Sequence, residues 1–177
     1  MKFVETPLPG VFVIEPELIE DERGFFARTF CREEFTARGL NPDLAQCSIS
    51  YNRRKGTLRG MHYQAAPHAE AKLVRCTRGA IYDVALDLRR DSSAYLKWFA
   101  VELSAENRKA LYVPEGCAHG FQTLCDETEV VYHISEFYHP QSAQGVRCDD
   151  LVFSIHWPDV EAMKLSDRDR GYPAFFV

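Results

Sequence analysis

Between residues 72 and 89 the chain reads KLVRC, TRG and AIYDVALDLR, two apolar runs joined by a turn. In the second run Tyr82, Val84, Leu86 and Leu88 alternate with Ile81, Asp83, Ala85 and Asp87. A period of two sends neighbouring side chains to opposite faces of a strand, here one apolar and one mixed. WFAVEL, ALYVP, GFQTLC and EVVYHISEFY are further strand candidates, and residues 11–19 are extended but broken at Pro16. Turns separate them at DERG (21–24) and SAEN (104–107), with Ser104 placed to cap the latter. CREEFTARGL at 31–40 predicts one short helix ending at Gly39. From Trp157 onward the chain is irregular and is expected to lie over the sheets rather than within them. Many short strands in 177 residues predict an all-β sandwich or barrel, a jelly roll before the others, as a single domain over 1–177.

Charge and composition narrow the function classes. The formal net charge of -5 argues against a nucleic-acid backbone as partner, since that needs an excess of Lys and Arg on one face. It leaves room for a local basic pocket that holds one diphosphate. MKFVETPLPG meets proline and acid before an apolar stretch builds, so no signal peptide is expected. The longest apolar run, AIYDVALDL, is interrupted by Asp83 and Asp87 and falls short of the roughly 18 residues of a membrane span. Cys31, Cys47, Cys76, Cys117, Cys125 and Cys148 are scattered without a CxxC pair. They read as reduced thiols of a cytoplasmic protein.

Three clusters carry chemistry-bearing residues. LRGMHYQ puts His62 and Gln64 on one face of a strand, with Arg59 on the other unless a bulge intervenes. YVPEGCAHGF places His119 after a Pro-Gly turn. VVYHISEFYHP holds Tyr132 and Tyr138 at a spacing that shares a face if the strand is regular. Taken singly, such residues most often pack or hydrogen-bond at a rim, and Asp169 in SDRDRG reads as a solvated loop charge. A metal reading has partial support. PEGCAH matches one half of a cupin metal motif, but in HYQAAPHAEAK the second histidine of His-x-His is Gln64. A third ligand would have to be His68 or Glu70, so no metal is expected there.

Together the clusters resemble the dTDP-4-dehydrorhamnose 3,5-epimerase family of sugar-nucleotide cupins. The matching pieces are DERGFF (21–26), TLRGMHYQ (57–64), AKLVRCTRGAIYDVALDLR (71–89), LSAEN (103–107), YVPEGCAHGFQTL (112–124) and VVYHISEFYHP (130–140). The resemblance runs in order over residues 8–173. It implies a cupin jelly roll with a few short helices, a homodimer with a subunit-shared active site, no metal and no organic cofactor. By position, His62 resembles the general base, Asp169 its carboxylate partner, Tyr132 the general acid and Lys72 the group that stabilises the enolate. Arg23, Phe26, Gln46, Arg59, His119 and Arg168 match substrate-contacting positions, and Tyr138 the residue that stacks on the nucleotide base. DERGFF would reach the neighbouring subunit's pocket.

The implied chemistry suits these residue types. Protons at C3 and C5 of a 4-keto sugar are acidic because the C4 carbonyl accepts charge as an enolate. A histidine suits their removal near neutral pH, and a carboxylate behind its ring holds the tautomer. Inversion needs an acid on the opposite face, and a cation at the enolate oxygen contributes about 3 kcal/mol. The expected function is conversion of dTDP-4-keto-6-deoxyglucose to dTDP-4-keto-L-rhamnose. Two departures stand at substrate positions. Arg28 occurs where the family commonly has Glu, and Gln46-Cys47-Ser48 where it commonly reads QxN. They keep open inversion at C3 or C5 alone, or a CDP- or GDP-linked sugar. A 3,4-ketoisomerase, a metal-dependent cupin and a non-catalytic sugar-nucleotide binder are the other readings.

Overall fold

In the computed structural model, which describes residues 1–176, the two apolar runs become β7 (Lys72–Arg78) and β8 (Ala80–Asp87). They lie in different sheets. The first sheet is ordered β1 (Lys2–Glu5), β2 (Phe12–Glu15), β10 (Ala110–Val113), β7, β12 (Thr128–Ile134), β5 (Gln46–Asn52). The second is ordered β13 (Ala143–Gly145), β6 (Leu58–Gln64), β11 (Cys117–Thr123), β8, β9 (Trp98–Ser104). Every pairing within both is antiparallel. A hairpin of β3 (Ile19–Asp21) and β4 (Gly24–Phe26) stands apart from both. The architecture is the expected all-β cupin jelly roll.

Alternation along β8 explains how the layers stack. Ile81 and Ala85 enter a core shared with Val74, Leu111 and Val130 of the first sheet. Tyr82, Val84 and Leu86 point the other way, into a second core capped by Phe153, Ile155 and Trp157. The irregular tail therefore covers the outer face of the second sheet, as expected from its composition. Burying each such side chain contributes about 1.5–3 kcal/mol, and Trp157 also donates its indole N–H to the Cys148 carbonyl at 2.8 Å. A third core lies on the outer face of the first sheet under α1 (Arg32–Thr36), whose Phe35 packs on Leu73 and Tyr112. That helix is shorter than the expected 31–40 segment. After Ala37 the backbone bonds tighten to three-residue spacing, Arg38 N–H to Phe35 O and Gly39 N–H to Thr36 O, both at 3.0 Å, and Gly39 takes φ +68° there.

Two sequence readings change in three dimensions. Strand β6 is not regular: His62 pairs with His119 and Arg59 with Phe121, so three steps on β6 oppose two on β11. The extra residue re-aims the strand, and Arg59 ends on the same side as His62. Glycines permit it. Gly60 has φ +139°, which L side chains rarely adopt, and a Cβ at Gly120 would meet Met61 Sδ at 2.6 Å and the Arg59 carbonyl at 2.9 Å. Strand β12 also stops at Ile134, so Tyr138 lies on the loop beyond it rather than on a regular strand with Tyr132. Among the described residues no helix is long and apolar enough to cross a membrane.

The Gly120 contact makes a quantitative expectation. Gly120→Ala overfills a fully buried strand crossing and should lower unfolding free energy by about 1–3 kcal/mol, measured by urea denaturation. An unchanged midpoint would show that the crossing has slack.

Candidate active site

A cavity of about 400 Å³ opens between the two sheets. The second sheet contributes Arg59 and His62 from β6 and His119 from β11. The first contributes Gln46, Ser48 and Ser50 from β5, Lys72 from β7 and Tyr132 from β12, with Tyr138 from the loop. His62 and Tyr132 therefore reach one cavity from facing sheets.

Both histidines, Lys72 and Arg59 each have a partner behind them. His62 Nε2 lies 2.7 Å from Asp169 Oδ1. Asp169 is buried on α2 (Asp167–Arg170), where the Ser166 hydroxyl accepts its backbone N–H at 3.1 Å. The tail reaches this point because it runs beside the start of β6: Leu58 N–H donates to Lys164 O, and Lys164 N–H to Gly56 O, both at 2.9 Å. Burial alone would raise the Asp169 carboxyl, but the hydrogen bond from His62 and attraction to it outweigh that and hold it below its ordinary value. His119 Nε2 meets buried Asp83 Oδ1 at 2.7 Å. Lys72 is buried, ion-paired with Glu70 at 2.8 Å, and donates to the His62 carbonyl at 3.1 Å. Arg59 Nε donates to Asn52 Oδ1 at 2.8 Å. Burial pushes the Tyr132 phenol far above its usual range, and the nearby Asp83 carboxylate adds to this while Arg59 opposes it. A phenol so placed keeps its proton at neutral pH.

The remaining expected residues divide. Gln46 accepts the Tyr138 backbone N–H at 2.6 Å, which brings that loop to the rim. Ser48 pairs across the ladder with Tyr132. Arg168, beside Asp169 on α2, is exposed and donates to the Tyr172 hydroxyl at 3.1 Å. Arg23 and Phe26 lie on the exposed β3–β4 hairpin, where Arg23 is ion-paired with Asp21. Arg28 pairs with Glu34 at 3.5 Å in a groove with Met1, Ile19 and Phe26. Those three do not line this chain's own cavity.

Sequence reasoning missed Asp83, Glu70 and Tyr172. Asp83 had a signal: a carboxylate within an otherwise apolar strand must find a partner on burial, and His119 is that partner. Glu70 was weighed only as a metal ligand, whereas Lys72 takes it. The Tyr172 ring stands edge-on to His62 at 6.2 Å, a contact that no local spacing reveals. A larger groove of about 520 Å³ lies at Arg53, Arg54, Arg78, Asp126 and Glu127. It offers exposed ion pairs, Arg54 with Asp126 and Arg78 with Glu127, and no facing acid and base.

Comparison with known proteins places the whole chain in one family. The family model described as dTDP-4-dehydrorhamnose 3,5-epimerase matches residues 5–176. The enzyme of that name from Shigella flexneri is 44% identical over 170 residues, covering 96% of this chain and 93% of its own. The crystal structure of the Elizabethkingia anophelis dTDP-4-dehydrorhamnose 3,5-epimerase superposes with a TM-score of 0.96 at 43% identity, covering 99% of this chain and 96% of that one. The Legionella pneumophila dTDP-6-deoxy-D-glucose-3,5-epimerase, in complex with dTDP-4-keto-L-rhamnose, gives 0.91 at 33% identity, covering 98% and 92%.

The lowered Asp169 carboxyl sets a pH test. A carboxylate held below its unfolded value contributes stability above the unfolded pKa of about 3.9 and loses it as pH falls through the folded one. The stability gap between wild type and Asp169→Asn should therefore be full at neutral pH and close below about pH 4. A gap that persists in acid would place its origin elsewhere than in the carboxylate charge.

Proposed function

The chain belongs to the dTDP-4-dehydrorhamnose 3,5-epimerase family, and from that premise we propose that it inverts C3 and C5 of dTDP-4-keto-6-deoxyglucose to give dTDP-4-keto-L-rhamnose. One observation carries this reading: His62 and Tyr132 line a single cavity from facing sheets, with Lys72 between the same walls.

In the proposed cycle His62 takes the proton from C3, and the C–H electron pair moves into the ring while the C4 carbonyl becomes an enolate oxygen. The buried Lys72 ammonium stabilises that oxygen. Tyr132 then delivers its proton to C3 from the opposite face, and the carbonyl re-forms. The proton on His62 and the one missing from Tyr132 balance through solvent before the same sequence runs at C5. Asp169 keeps His62 in the tautomer whose outward nitrogen is free to accept. Tyr132 enters the cycle protonated, as a phenol does at neutral pH, so the acid is in place before the enolate forms.

The nucleotide is proposed to lie toward Tyr138 and Arg168, with the exposed Tyr138 ring as a stacking surface. We also propose a homodimer in which the hairpin of one subunit completes its neighbour's cavity. Supporting this, the β3–β4 hairpin leaves Ile19 69% and Phe26 71% exposed. Arg23 is likewise turned away from its own cavity.

Incubation in D2O should place deuterium at both C3 and C5, read by NMR of the product. Exchange at one carbon alone would reduce the activity to single epimerisation, and no exchange would refute it. His62→Ala should abolish turnover while nucleotide binding persists, and Lys72→Ala should cost about 10²–10³-fold in kcat if it acts as an oxyanion donor. In the dimer, mixing inactive Arg23→Ala and His62→Ala subunits should restore part of the activity, since one hybrid site has both residues. No recovery after demonstrated subunit exchange would refute the shared site.

A further inference from the structure

The segment that carries Tyr138 to the cavity rim also holds a cluster for which proton transfer at the sugar has no use. His68, Glu136 and His139 each offer one ligand atom, and those atoms lie within 4.8 Å of one another. The two imidazoles stack with centroids 3.4 Å apart and planes 11° from parallel. The Glu136 carboxylate stands 3.9 Å from His68 Nδ1 and 4.0 Å from His139 Nε2. Both gaps are too long for hydrogen bonds. Two metal–ligand bonds of about 2.0–2.2 Å at a tetrahedral angle set donor atoms about 3.4 Å apart. Parallel rings cannot both point at one ion, so they must splay by rotation about their side-chain torsions. All three side chains are about one-third exposed, which leaves them room to do so and leaves an open side for water.

The backbone beneath is already held. Gln64 is 3% exposed, and its side-chain amide donates to the carbonyls of His68 at 3.0 Å and Phe137 at 3.1 Å. Its oxygen accepts the His139 N–H at 2.7 Å. One buried amide thus ties together two segments distant in sequence, each bearing a histidine. Glu136 is anchored as well, its Oε1 accepting the Phe137 N–H at 2.7 Å. Fixing ligand positions through the backbone lowers the ordering cost of binding an ion.

We propose that His68, Glu136 and His139 bind one divalent first-row transition-metal ion per chain, with water completing the coordination, and that the ion braces the loop carrying Tyr138. Two imidazoles and one carboxylate suit zinc and its neighbours rather than magnesium or calcium. The ion is distinct from the acid–base pair and takes no part in proton transfer. The consequence for nucleotide binding rests on the function proposed above; the site itself does not.

Zinc binding to chelator-treated full-length protein, followed by calorimetry, tests this independently of turnover. One zinc per chain is expected, weakened at least tenfold in His68→Ala and again in His139→Ala, and unchanged in His62→Asn. Cobalt in place of zinc should show ligand-field bands without the thiolate charge-transfer absorption that exposed Cys47 would add. Hydrogen exchange at the amides of 136–139 should slow when zinc is added. No binding at micromolar zinc, binding that survives both histidine variants, loss in His62→Asn, or a thiolate band would overturn the site. Unchanged exchange would overturn the bracing. Circular dichroism of each variant separates these outcomes from misfolding, and a protein that binds zinc yet shows no exchange at C3 or C5 would keep the site while refuting the epimerase reading.

Discussion

Strand β6 comes so close to β11 that no side chain fits between them, and the arrangement of the cavity follows from that approach. With Gly60 opposite Gly120, β6 gains a residue over its neighbour, and Arg59 turns to the side already occupied by His62. On an unbroken strand the two would point to opposite faces of their sheet, and the cavity wall would lose a cation. The same crossing makes His62 and His119 direct cross-strand partners. Bulges next to functional sites commonly serve such re-aiming, and here the glycines remove the steric obstacle.

A second regularity is that three side chains of the cavity each have a carboxylate behind them. His62 is backed by Asp169, His119 by Asp83 and Lys72 by Glu70. An isolated buried charge costs several kcal/mol, and pairing offsets much of that without adding reliable stability. The pairs therefore speak for positioning more than for strength of fold. Asp83 keeps one oxygen without a partner. It also pushes the Tyr132 phenol upward, so a residue on β8 bears on an acid carried by the other sheet.

Much of the architecture was legible because strand periodicity is a local property. Residues 80–87 alternate between apolar and mixed faces, and the structure buries the two faces in separate cores. The Ser104 turn is likewise local: its hydroxyl accepts the Asn107 N–H at 3.0 Å. The strand readings reached their limit where local regularity fails. The Tyr132–Tyr138 spacing assumed a strand that ends at Ile134, and the position of Arg59 turned on a bulge that spacing cannot reveal.

Motif order and residue type alone determined the family, the jelly roll and the identities of His62, Tyr132, Lys72 and Asp169 as residues to watch. They could do so because alternation, turns and motif strings are written along the chain. Only the tertiary structure decided that Asp169 reaches His62, that Asp83 stands behind His119, and that His68 and His139 meet over one buried glutamine. Those contacts join positions far apart in sequence. Their distances depend on how two twisted sheets and a tail pack together, and no local pattern encodes that.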